Sequence, residues 1–194
     1  LASLRRVSER GLEMATIDSA RTVYYLPGYG GRLSTGLGEG LSSRGYQIAG
    51  RETVGEFRDL PFRQQVETVA EDLLQHFWHE EARVVAVSFG AYLFLHAQAQ
   101  LPPYVGNVLL LSPIVGEFSD DTRGMSFSPP YADRLRELAQ AGQFRAPLRC
   151  HIHVGSEDWQ SDPKNISSFG QQVGIDVTVV PGAGHMLEIG RAHV

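Results

Sequence analysis

The chain has 194 residues, 42% of them hydrophobic and 20% charged, with a formal net charge of −5. These are the values of one globular domain long enough to bury a real core, not of a disordered chain. Two further classes fall away: no run of lysine or arginine offers a footprint for nucleic acid, and no stretch approaches the ~18 unbroken apolar residues of a membrane span. The single cysteine, Cys150, forbids an internal disulfide and fits a reducing, cytoplasmic compartment. Its apolar, strand-like surroundings read as those of a buried, inert thiol.

In chain order, residues 1–21 carry Arg5, Arg6, Arg10 and Arg21 but no apolar h-region, and the first methionine is Met14. They are set apart as a leader, and a single domain is expected over residues 22–194. Thr22-Val23-Tyr24-Tyr25-Leu26 is a strand by composition, stopped by Pro27-Gly28-Tyr29-Gly30-Gly31. Leu33, Leu37 and Leu41 recur at helical spacing, and Gly45 closes that helix before a second strand, Tyr46-Gln47-Ile48-Ala49-Gly50. Phe62, Val66, Val69, Leu73 and Phe77 form one helical stripe behind Pro61.

The central stretch is Arg83-Val84-Val85-Ala86-Val87-Ser88-Phe89-Gly90. A β-branched run ends at a serine flanked by Ala86 and Gly90, and residues 92–100 then have helical composition. This is the pattern of a nucleophile elbow, in which a strand and a helix cross so closely that only small residues fit beside the serine. The usual first glycine is replaced by Ala86. The plain alternative is a serine that caps the following helix. Beyond it come a strand at Val108-Leu109-Leu110-Leu111, a Gly/Pro-marked loop within residues 114–147, and a helix bearing Leu135, Leu138 and Ala139. A strand at His151-Ile152-His153-Val154-Gly155, a helix over residues 163–173 and a last strand over residues 176–180 complete the series. Strands alternating with helices predict right-handed crossovers and an α/β fold whose mostly parallel sheet is covered on both faces.

Gly155-Ser156-Glu157-Asp158 follows one late strand and Gly184-His185 follows the last. Serine, then acid, then histidine, each just past a strand's carboxyl end, is the order of a Ser-His-Asp triad in this architecture. Asp162 precedes Pro163 and reads as a helix N-cap. His151 with His153, and His76 with His79, lack the Cys or carboxylate spacing of a metal site. The glycines from Gly28 to Gly40 lack the Gly-Lys-Ser/Thr ending of a phosphate loop, so no nucleotide cofactor is expected.

With these motifs in place, Leu26-Pro27-Gly28-Tyr29-Gly30, Val87-Ser88-Phe89-Gly90, Gly155-Ser156-Glu157-Asp158 and Gly182-Ala183-Gly184-His185, the chain resembles the α/β-hydrolase superfamily over residues 22–185. The resemblance implies about six strands in the order 2-1-3-4-5-6 with no large lid. It makes Ser88 the nucleophile, His185 the base and Asp158 its orienting acid. It also implies an oxyanion hole from the backbone N–H groups of Tyr29 and Phe89, where Pro27-Gly28 replaces the family's His-Gly pair. The implied activity is that of a serine esterase or thioesterase acting on a small molecule, with no metal or cofactor. Hydrolysis of amides or carbon–carbon bonds by the same triad, and a binding protein built on a hydrolase scaffold, stand as competing readings. Little sequence remains after His185 for the family's closing helix, and an uncovered sheet face there favours either a homodimer or a truncated chain.

Overall fold

The computed structural model describes Asp18 and residues 21–187. The leader apart from Asp18 and Arg21, and the segment beyond residue 187 on which the expectation of a missing helix and a homodimer turns, lie outside these bounds. The chain opens with β1 (Thr22–Leu26), α1 (Leu37–Ser43), β2 (Gln47–Gly50), α2 (Gly55–Asp59) and α3 (Phe62–His76). The elbow joins β3 (Arg83–Val87) to α4 (Phe89–Gln98), followed by β4 (Asn107–Leu111). A hairpin of β5 (Phe118–Asp120) and β6 (Met125–Phe127) leads to α5 (Arg134–Gln140). Then come β7 (Arg149–Gly155), α6 (Pro163–Val173) and β8 (Asp176–Val180).

Six strands form one parallel sheet in the order β2-β1-β3-β4-β7-β8. With the antiparallel hairpin left aside, this is the strand order expected from the sequence. Period-2 alternation sends side chains to opposite faces of each strand. Tyr24, Leu26, Val84, Ala86, Val108, Leu110, Ile152 and Val154 enter the larger core beneath α3, α4, α5 and α6. Val23, Tyr25 and Ile48 face the other way, against Leu33 and the Leu37 and Leu41 side chains of α1. Helices therefore pack on both faces, α1 on the second one over β1 and β2. All ten residues of α4 are buried, as expected of a helix apolar on nearly every side.

The sequence reading needs four adjustments. Leu33 belongs to a turn, and α1 begins only at Leu37, because the glycines before it hold the chain out of the helix. The helix after the elbow starts at Phe89 rather than Tyr92. Neither α2 nor the β5–β6 hairpin was expected. Each is short, and the hairpin is stitched by a Phe118–Phe127 ring pair with centroids 5.3 Å apart rather than by any run of apolar residues. Cys150 is half-buried, and burial pushes its thiol up to about 12.

Two polar groups lie deep under the sheet. Asp72 of α3 takes bonds from Arg51 Nε and Nη2 and from the Tyr24 hydroxyl, each at 2.7 Å. Removing one partner of such a buried, hydrogen-bonded pair costs about 3–5 kcal/mol, whereas the exposed Arg63–Glu67 pair on the same helix is worth a few tenths. His96 of α4 is also buried, ring-edge to Phe62 and Tyr92, and among the described residues its Nε2 has no hydrogen-bond partner. Burial, with a smaller push from Arg134, lowers its pKa to about 4. The unfolded chain therefore takes up this proton first as pH falls, so the stability contribution is whole above ~6.5 and drains away down to about 4. Unfolding free energy measured in urea at pH 7.5 and pH 4.5 is expected to fall by about 2–3 kcal/mol on this account. His96→Leu should remove that part of the fall; an unchanged fall in the variant would contradict the assignment.

Candidate active site

Ser88 sits between β3 and α4 with φ 52° and ψ −115°, a left-handed conformation that costs a non-glycine residue on the order of 1–3 kcal/mol. Its surroundings leave it no alternative. Ser88 N donates to Leu111 O at 3.0 Å, and its carbonyl accepts from Tyr92 N at 3.1 Å and Ile114 N at 3.2 Å. A methyl group on Gly90 would lie 2.2 Å from Leu26 O, so only glycine lets α4 cross β1 this closely. The serine hydroxyl makes no capping bond to its own helix. It points instead to His185, with Oγ 2.9 Å from Nε2.

Two loops carry the partners. The turn after β7 and the turn after β8 are laced together by Ser156 N to Val180 O, Glu157 N to Ala183 O, and Gly182 N to Ser156 Oγ, at 2.9, 2.9 and 2.8 Å. A methyl group on Gly155 would lie 2.1 Å from Ala183 O, so this glycine permits the two turns to touch. Within that frame His185 Nδ1 lies 2.9 Å from Asp158 Oδ2 and 3.0 Å from Oδ1. Oδ1 also accepts from the amides of Gln160 and Ser161, both at 2.9 Å. Ser161 Oγ donates in turn to Ser112 O at 2.8 Å, tying the acid's loop to the end of β4.

The Asp158 side chain is fully buried, and the His185 side chain is partly buried. An ionised carboxylate can only accept, so it holds the imidazole proton on Nδ1 and leaves Nε2 free to accept from the serine. The structure thus brings Ser88, His185 and Asp158 into one hydrogen-bonded line. Glu157 is exposed beside it, and Asp162 caps α6 through the amides of Lys164 and Asn165.

Tyr29 and Phe89 meet at the same place. A methyl group on Gly28 would lie 3.4 Å from Ser88 Cβ, so the turn after β1 passes directly over the serine. Among the described residues neither the Tyr29 nor the Phe89 amide donates to a protein acceptor. Phe89 is also the first residue of a ten-residue helix, where N–H groups and the helix dipole favour negative charge. Two unpaired donors beside a nucleophile can hold a developing oxyanion. Among the described residues no group of three His, Cys, Asp or Glu side chains could hold a metal ion, and His151 bonds to Thr178 Oγ1 at 2.8 Å.

One contributor escapes sequence reading altogether. Thr53, buried in the loop after β2, clamps the turn at residues 28–31. Its hydroxyl donates to Gly28 O and accepts from Gly31 N at 2.9 Å. Its backbone accepts from Gly30 N at 3.2 Å and donates to Gly31 O at 3.1 Å. No local motif marks it, because its partners lie 22 residues and more away.

No protein-family model matches the chain, and no curated sequence does either. Solved structures do. The ydeN gene product of Bacillus subtilis is similar with a TM-score of 0.60 and 18% identity, over 86% of this chain and 88% of that one. The naproxen esterase (carboxylesterase NP) of Bacillus subtilis gives a TM-score of 0.61 at 15% identity, covering 91% and 81%. MGS-MChE2, an α/β-hydrolase enzyme from a lagoon-sediment metagenome of Mar Chica, Morocco, gives 0.61 at 14%, covering 98% and 92%. At these identities the likeness shows the fold: the chain has the α/β-hydrolase fold.

The Thr53 clamp makes a prediction that a merely structural residue would not meet. Thr53→Val keeps the volume but loses the hydroxyl bridge, and Thr53→Ser keeps the bridge. If the turn positions an oxyanion donor, Thr53→Val should lower kcat for a simple ester by about 10–100-fold with KM little changed, and Thr53→Ser should restore most of it. Equal losses in both variants, or a change confined to KM, would contradict this role.

Proposed function

We propose that this chain, with its α/β-hydrolase fold, is a serine hydrolase that cleaves a carboxylic ester or thioester through an acyl-enzyme. The observation that carries the reading is the unbroken line from Asp158 through His185 to Ser88, ending beside two unpaired amides. The esterase names of the neighbours support ester chemistry, and the bonded triad favours catalysis over a vestigial, binding-only site.

In this reading Ser88 Oγ attacks the carbonyl carbon while His185 Nε2 takes the hydroxyl proton. The carbonyl π pair moves onto oxygen, and the N–H groups of Tyr29 and Phe89 bind that oxyanion. Collapse re-forms the carbonyl and breaks the bond to the alcohol or thiol. His185 gives its proton to that leaving group. Water then attacks the acyl-enzyme, His185 removes its proton, and the second collapse returns the proton to Ser88 and frees the acid. Asp158 holds the tautomer and stabilises the imidazolium throughout. The chemistry as written needs no cofactor.

Hydrolysis of ethyl butanoate, followed by proton release, tests the roles. Ser88→Ala should leave only background, and Asp158→Asn should fold normally but lower kcat on the order of 10⁴-fold, because the amide favours the wrong tautomer. Wild-type activity in Asp158→Asn would remove the acid from the mechanism.

A further inference from the structure

We propose that the rings of Tyr29, Phe89, Phe62 and Tyr131 form a wall beside Ser88 that receives a planar, neutral aromatic group of the substrate. The inference rests on the serine-hydrolase reading and adds to it a substrate class. The wall is continuous. The Tyr29 ring meets the Phe89 ring edge-on with centroids 5.7 Å apart, Phe89 lies 6.3 Å from Phe62, and Phe62 lies 5.9 Å from Tyr131. It begins at the reacting centre, because Phe89 follows Ser88 in the chain and the turn carrying Tyr29 passes over the serine.

Its two ends are open to solvent, with Tyr29 67% and Tyr131 63% exposed, while Phe62 and Phe89 between them are half-buried and buried. Behind them, Tyr92 lies 5.5 Å from Phe62 and 6.0 Å from Phe89 and closes the back of the cluster.

Tyr131 makes the strongest case. Its φ is 56°, a conformation that is a genuine outlier for a bulky side chain. An exposed ring gains too little from burial to offset that strain. The loop nevertheless holds it there: Pro129 is buried, and Pro130 O accepts from the Tyr92 hydroxyl at 2.6 Å. A single exposed tyrosine is ordinary. Two exposed tyrosines at the ends of one run of neighbouring rings, one of them strained into place, make a preorganised face. The four rings carry no charge, and aromatic partners prefer the edge-to-face and offset contacts they already make with one another. A flat ring satisfies such a face better than a puckered or flexible group of the same size. The ring could belong to the acyl half of the ester or to the alcohol half, and the test separates the two.

The experiment compares kcat/KM for benzyl butanoate with its saturated twin cyclohexylmethyl butanoate, and for ethyl phenylacetate with ethyl cyclohexylacetate. The wild type should prefer the aromatic ester by about fivefold to tenfold in at least one pair, and that pair identifies the half that binds. The same ratio should fall below about twofold in Tyr131→Leu and in Tyr29→Leu, each ratio being taken within one variant so that a general loss of activity cancels. Phe62→Leu supplies the same ratio should either tyrosine variant fail to fold. Absence of preference in both wild-type pairs, or a preference untouched by the substitutions, overturns the aromatic wall while leaving the hydrolase standing. A folded protein that hydrolyses none of the four esters nor ethyl butanoate overturns the hydrolase reading, and this inference with it.

Discussion

A serine held in a backbone conformation that serine avoids is the constraint on which the site depends. Ser88 is held at φ 52° where the chain turns from β3 into α4, because α4 crosses β1 at close approach there, with Gly90 against Leu26 O and Pro27 O. Three features meet at this turn. Oγ points away from its own helix and toward His185, the Phe89 amide has no protein acceptor among the described residues, and the turn after β1 lies over the serine. Burial of the whole of α4 anchors the elbow from below, so the energy that holds it comes from the core rather than from the site.

The same division of labour runs through the polar groups. Arg51, Asp72 and Tyr24 form a buried ionic cluster that fixes the segment after β2 to α3 and β1. Two residues further on, Thr53 transmits that anchorage to the turn bearing Tyr29. On the opposite side, the amides of Gln160 and Ser161 hold the Asp158 carboxylate, and Ser161 fastens it to β4. Each proposed catalytic group thus hangs on a loop that is hydrogen-bonded to a strand end or to a neighbouring loop. That arrangement keeps short loops accurate without a large cap over them.

Much of this was legible in the sequence, for identifiable reasons. A β-branched run is unambiguous when it ends on small residues, which is why the elbow and the last strand, Asp176–Val180, were readable to within a residue or two. Right-handed crossovers then left few strand orders to choose from. The start of α4 was misread because Phe89-Gly90-Ala91 has turn-like composition; only the crossing with β1 explains a glycine in the first turn of a helix. The hairpin strands are three residues each, too short for any period to register. Thr53 and the ring wall were invisible for a different reason. They are made by contacts between distant segments, and no spacing in the chain encodes them.

The central claim is that Ser88 is an activated nucleophile. The most direct measurement treats the intact, folded protein with a small fluorophosphonate at neutral pH and locates the adduct by mass spectrometry of its peptides. The account predicts a single stoichiometric phosphonyl adduct on Ser88, lost in Ser88→Ala and strongly slowed in Asp158→Asn. A folded protein that takes up no label, or takes it up at another serine such as Ser112, would contradict it.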